Sequence, residues 1–82
     1  MPPAAPDLKE LIELLARQLV NNLDAVEVKE VHGDIASALE LRVAKEDLGR
    51  VIGKQGRTAS SIRSILNAVA SRTNRKVALE II

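Results

Sequence analysis

Apolar residues recur at three- and four-residue spacing over Leu8, Leu11, Ile12, Leu15 and Leu19, the stripe of an amphipathic helix resting on a core. Asp7 stands where an N-cap belongs, with Glu10 three positions later as in a capping box, and Asn21-Asn22 and Asp24 end the helix. The period then shortens to two. Val26 and Val28 alternate with Glu27 and Lys29, and Leu39, Leu41 and Val43 alternate with Glu40 and Arg42, predicting two half-buried strands. His32-Gly33-Asp34 between them is a turn signal, so the strands form an antiparallel hairpin with His32 exposed in the turn. Residues 46–52 read as a short helix whose Glu46 and Asp47 match the positive end of its dipole. Gly53 stops it, and a longer helix starts at Arg57 or Thr58. That helix places Ala59, Ile62, Ile65, Leu66 and Val69 on one face and Ser60, Ser64, Asn67 and Ser71 on another. Thr73-Asn74 breaks it, and residues 76–82 close the chain as a strand with Val77, Leu79 and Ile81 facing one way.

The order is therefore α-β-β-α-α-β. A hairpin makes the first two strands antiparallel, while a helical crossover returns the third parallel to the second. The expected fold class is α+β, a three-stranded mixed sheet with all three helices on one face and the other face open. Residues 1–6, rich in Pro and Ala, form a flexible tail, and residues 7–82 form one domain.

Composition narrows what such a domain does. Eighty-two residues allow one domain, which buries only roughly 60% of the surface its unfolded chain exposes. Eleven Leu, eight Val and seven Ile supply the core. With no cysteine and a single histidine, disulfides, thiolate chemistry and Cys- or multi-His metal sites are excluded. No apolar run reaches the ~18–20 residues of a membrane span, and the N-terminus lacks the regions of a signal peptide. A cytoplasmic domain with no cofactor is expected. The net charge of +1 conceals an asymmetry: residues 1–41 hold three basic and eight acidic side chains, residues 42–82 nine basic and three acidic. A basic half hints at a polyanion; two mutually attracting solvated faces explain it equally well.

Within the basic half lies Val51-Ile52-Gly53-Lys54-Gln55-Gly56-Arg57. Two glycines three apart, joining two helices, make a tight bend that another backbone can approach closely. Amides at the start of the following helix point outward, where the dipole favours an anion, and Lys54, Arg57 and Arg50 add positive charge. This is the chemistry of a phosphodiester site; a plain turn between helices is the competing reading. A nucleotide-hydrolysing loop does not fit, because Gly49 and Gly53 enclose three residues and Lys54 is followed by Gln55.

Val51-Ile52-Gly53-Lys54-Gln55-Gly56, followed by Ile62 and Ile65, resembles the V-I-G-x-x-G signature of KH domains, and the element order resembles their type II arrangement. More narrowly, Leu39-Glu40-Leu41-Arg42-Val43-Ala44, residues 47–58 and the closing residues 77–82 are similar to the small single-KH bacterial RNA-binding proteins of the KhpA family. The resemblance covers residues 7–82. One departure is Leu23, where the family pattern leads us to expect proline. The resemblance implies a site for about four single-stranded nucleotides. In it, Gly53, Lys54, Gln55 and Gly56 hold the sugar-phosphate backbone. Ile52, Leu41 and Val43 border an apolar groove, and Arg42, Lys45, Arg50 and Arg57 make flanking phosphate contacts. It further implies pairing, as a homodimer or with a larger KH-containing protein of the Jag type, and an influence on cell division or cell-wall growth through RNA, as a post-transcriptional regulator or RNA chaperone.

Other chemistry finds little support. Ser60, Ser61 and Ser64 read as a solvent face, and nothing supplies His32 with a nucleophile at recognisable spacing, so no catalytic residue is assigned. Arg63, Arg72, Arg75 and Lys76 admit two readings, nucleic-acid contacts or ordinary solvated surface, and the second is preferred for each. Two functions remain: an RNA-binding module of low sequence selectivity, or a protein-interaction module that keeps the fold for pairing.

Overall fold

Helix α1 (Leu8–Leu19) begins where the pattern predicts, in a computed structural model that describes residues 7–33, 36–72 and 74–82. Asp7 Oδ1 accepts hydrogen bonds from the backbone N–H groups of Lys9 (3.0 Å) and Glu10 (3.3 Å), a cap that contributes about 0.5–2 kcal/mol. The buried ridge is Leu8, Ile12 and Ala16, with Leu11, Leu15 and Leu19 packed along its sides. Ala16 falls at the centre of the stripe, where a small side chain lets the helix approach its neighbours closely. The expected tail at residues 1–6 lies outside the described residues, as do Asp34 of the hairpin turn and Thr73 of the helix-ending pair.

Strands β1 (Glu27–His32), β2 (Ala36–Arg42) and β3 (Lys76–Ile81) form one sheet in that order. The first pair is antiparallel and the second parallel, so the mixed sheet read from the connections is present. Register explains the one-sided core. Val28 stands opposite Leu41, which neighbours Ile81, and Leu39 neighbours Leu79; Val28, Leu39, Leu41, Val77 and Leu79 are all buried beneath the helices. One residue out of phase, Glu27 faces Arg42, Lys29 faces Glu40 and Val31 faces Ala38 on the open side. The backbone N–H of Ile82 reaches the carbonyl of Leu41 at 2.9 Å, carrying the parallel ladder one residue further. His32 is the last residue of β1, not a turn residue, and its side chain is exposed.

A 3₁₀ turn (Lys45–Asp47) leads into α2 (Leu48–Ile52), and α3 (Arg57–Ser71) follows after the glycine-bearing link. The buried residues of α3 are Ala59, Ile62, Leu66 and Ala70. Ile65 departs from the expectation: it is 44% exposed. Spacings of three and four fit both Ile62-Ile65-Val69 and Ile62-Leu66-Ala70. At ~100° per residue Ile65 lies on the order of 100° from the centre of the second stripe, and the second stripe packs.

Candidate nucleic-acid interface

The link between α2 and α3 is a tightly wound bend. Gly53 ends α2 at φ 76°, ψ 171°, Gln55 adopts φ 56°, ψ 26°, and Gly56 adopts φ 73°, ψ 13°. Three of four consecutive residues thus have positive φ, a conformation that costs L-residues roughly 1–2 kcal/mol and that glycine adopts freely. The two glycines serve different ends. A Cβ on Gly53 would press on the Thr58 side chain and lie 2.8 Å from its backbone nitrogen, whereas a Cβ on Gly56 would meet nothing within 4 Å. Gly53, at the end of α2, is therefore closed in by Thr58 of α3, and Gly56 faces open space. Backbone bonds from Gly53 N–H to Gly49 C=O (2.8 Å) and from Gly56 N–H to Gly53 C=O (3.1 Å) fix the bend. Gly56 caps α3 without any side-chain hydrogen bond; the N–H of Arg57 bonds back to the Lys54 carbonyl, and the N–H groups that follow it lie at the positive end of the dipole of a 15-residue helix.

Charge gathers around those amides. Lys54 and Arg57 are exposed at the two ends of the bend, and Gln55 between them is exposed as well. Arg50 is one turn upstream with Nε 3.8 Å from Asp47 Oδ1, its side chain 56% exposed. Ile52, immediately before Gly53, is 40% exposed and offers an aliphatic surface beside the loop. Lys45 is exposed too, but it precedes α2 and so sits about 7.5 Å or more of helix away from the bend.

Two expected contact positions prove unsuitable. Leu41 is fully buried, and Val43 is nearly so, at 6%; the inward phase of β2 that makes them apolar also hides them under the helices. Arg42 lies in the opposite phase, on the helix-free face among Glu27, Lys29, Glu40 and Ile82. The sheet separates it from the loop. The groove that does adjoin α3 runs between that helix and the edge strand β3, lined by Arg63, Leu66, Asn67, Val77, Ala78 and Leu79. Farther along, Ser71, Arg75 and Lys76 line its continuation. Among the described residues, no carboxylate lines either stretch.

Sequence reasoning missed the anchor of this arrangement. Asp47 is only 1% exposed; its Oδ1 accepts from the backbone N–H of Asn21 (3.2 Å) and its Oδ2 from that of Asn22 (3.0 Å). It ties the exit of α1 to the entry of α2, and so fixes the short helix that delivers the loop. The expected dipole-matching role describes its position but not its partners, which lie about 25 residues away in sequence. Arg63, expected as plain surface, donates from Nε to the carbonyl of Leu79 at 3.4 Å. A signal for it existed: Arg63 and Asn67 flank the Ala59-Ile62-Leu66-Ala70 stripe on one side, where side chains meet the neighbouring element.

A mixed sheet covered on one face by three helices, with a G-x-x-G bend between the second and third, defines a KH-type domain. The match is specific at the level of family. The model of the KhpA/KhpB KH domain matches residues 9–81, and the chain belongs to that family. It is 51% identical over 73 residues to a protein from Caldanaerobacter subterraneus subsp. tengcongensis named RNA-binding protein KhpA, covering 89% of this chain and 97% of that one. Proteins of the same name from Clostridium perfringens and Aquifex aeolicus are 49% and 47% identical over 75 residues, covering 92% of this chain and 100% and 95% of theirs. Among the described residues, no helix is long and apolar enough to cross a membrane.

Proposed function

We propose that this protein binds single-stranded RNA, with the bend Gly53-Lys54-Gln55-Gly56 gripping the sugar-phosphate backbone and the α3–β3 groove receiving the bases. The observation that carries the reading is the bend itself: backbone amides at the start of α3, a glycine facing open space at Gly56, and Lys54 and Arg57 exposed on either side. Arg50 adds a phosphate contact from α2. Ile52 supplies aliphatic contact at the loop end, and β3, an edge strand, adds a row of backbone groups that no further strand pairs. The relatives' shared name, RNA-binding protein KhpA, agrees with this chemistry.

With no aromatic side chain, the groove forgoes the ~1–3 kcal/mol per base that stacking platforms contribute. A single copy therefore binds weakly, and pairing raises the effective affinity by avidity. Ile65, exposed on the outer side of α3 next to Ser61 and Ala68, fits a pairing face for a second copy or for a larger KH-containing protein of the Jag type. The same exposed Ile65 favours the second reading, a pairing module with little RNA binding of its own. One pair of variants separates the two. Lys54→Asp with Gln55→Asp loses RNA while its circular dichroism and oligomeric state stay normal; Ile65→Asp alters the oligomeric state. Unchanged RNA affinity in the loop variant would sink the RNA reading. Our proposal includes action in the cytoplasm, as an RNA chaperone or post-transcriptional regulator of cell division and cell-wall growth. The morphology of cells carrying the loop variant, and the RNA crosslinked to it, test that part.

A further inference from the structure

Backbone amides and exposed cations grip any RNA alike; a base-reading element requires donors held in a fixed direction. Arg63 meets that requirement. It lies six residues, or about 9 Å of helix axis, beyond Arg57, on the flank of α3 that faces the edge strand. Its Nε donates to the Leu79 carbonyl at 3.4 Å. A guanidinium tethered through Nε keeps both terminal amino groups, and hence a two-pronged set of donors, free for a ligand. Arg63 lines the groove together with Leu66, Asn67, Val77, Ala78 and Leu79, and no carboxylate among the described residues forms an ion pair with it.

We infer that Arg63 is a specificity-determining residue that selects guanine at one position of the bound strand. Guanine presents O6 and N7 as adjacent acceptors matching the two terminal amino groups, whereas adenine sets its own N6 donor against one of them. Uracil offers no such pair, and cytosine offers one only on its Watson–Crick edge, at O2 and N3. A hexauridylate bearing one cytosine is therefore titrated beside the purine-bearing ones, and a preference for cytosine over guanine overturns the inference. Leu79 acts as the tether: by holding Nε it aims the fork across the groove. This inference rests on the RNA-binding reading above, and its test separates the two.

The probes are fluorescently labelled hexauridylates carrying a single guanine, adenine or 7-deazaguanine at each position in turn, titrated with the full chain. The expected result is a preference for guanine over adenine of about five-fold or more in at least one position, the range of one bidentate contact. 7-Deazaguanine, which lacks the N7 acceptor, loses that preference. Arg63→Lys keeps the charge without the fork; in it and in Arg63→Ala the ratio of guanine to adenine affinity falls to about one, whatever change either makes in the affinity for plain hexauridylate. Equal affinity for guanine and adenine at every position of the wild-type titration overturns the inference, as does a guanine preference that survives in Arg63→Ala. That second result makes Arg63 a phosphate contact or a purely structural tie. If the wild-type chain binds no probe better than the Lys54→Asp, Gln55→Asp variant does, the RNA reading itself has failed, and the inference with it.

Discussion

On the helix-free face of the sheet, Arg42 stands opposite Glu27 and Lys29 opposite Glu40. Around the loop and its groove, Lys54, Arg57 and Arg63 are exposed, and none forms an ion pair with a carboxylate among the described residues. Both surfaces are rich in cations, and only the second is built to attract an anion. On the sheet, each cation has a cross-strand carboxylate within reach of Coulomb attraction, so the field at a distance largely cancels. At the loop, the helix dipole adds to the side-chain charge. A cation's neighbours, and not its sign alone, decide whether it recruits a polyanion. The near-zero net charge of the chain is the sum of these two different arrangements.

The sharpest way to break this comparison is charge reversal on each surface. Lys54→Asp with Gln55→Asp should weaken RNA binding by about 100-fold or more, or ~2.7 kcal/mol, in an equilibrium titration. Lys29→Asp with Arg42→Asp should shift it only a few-fold. Comparable losses from both would mean that the sheet face also contacts RNA. The two glycines of the bend give the next largest contrast, this time in stability. Gly53→Ala meets both positive φ and the crowded Thr58, and should cost about 2–3 kcal/mol in urea unfolding. Gly56→Ala meets only the φ penalty and should cost about 1 kcal/mol; equal costs would contradict the closed and open surroundings assigned to them.

Asp47→Ala leaves the N–H groups of Asn21 and Asn22 without their carboxylate and should lower stability by about 1–3 kcal/mol. Glu46→Ala, one residue away and exposed, should change it by less than about 0.5 kcal/mol. The smallest effect is in salt dependence. Each phosphate contact on a single strand contributes about −0.7 to the slope of log affinity against log salt. Lys54→Ala should therefore flatten the slope by about that amount, while Arg42→Ala leaves it unchanged.

Much of the fold was legible because periodicity and turn chemistry are local. The stripe of α1, the alternation in β1 and β2, and the glycines bounding the bend all follow from neighbours in sequence, and the short hairpin and the helical crossover then set the strand directions. The errors share a physical origin. Leu41 reads as apolar, which is correct, but whether an apolar side chain faces a groove or a core depends on what covers it. Alternation reports the phase of a strand, not its cover. Ile65 was assigned to the core because three- and four-residue spacings admit two overlapping stripes on α3. Asp47 and Arg63 owe their roles to partners on other elements, the exit of α1 and the edge of β3, and no local pattern reports those. The loop chemistry was readable for the opposite reason: its amides, glycines and cations are contiguous in the chain.

The bend between α2 and α3 is held by its own backbone bonds, from Gly53 N–H to Gly49 C=O and from Gly56 N–H to Gly53 C=O, and this bears on time as well as affinity. If the bend grips RNA as proposed, a loop fixed by its own backbone bonds loses little chain entropy on capture, and the encounter step resembles rigid docking steered by charge. Arrival rates should then be similar for different RNAs and fall together as ionic strength rises. Discrimination between strands, including any due to Arg63, would be expressed in how long each one stays. For a protein that holds RNA as proposed, at a small site free of aromatics, residence time is the quantity that a second, paired copy would prolong most.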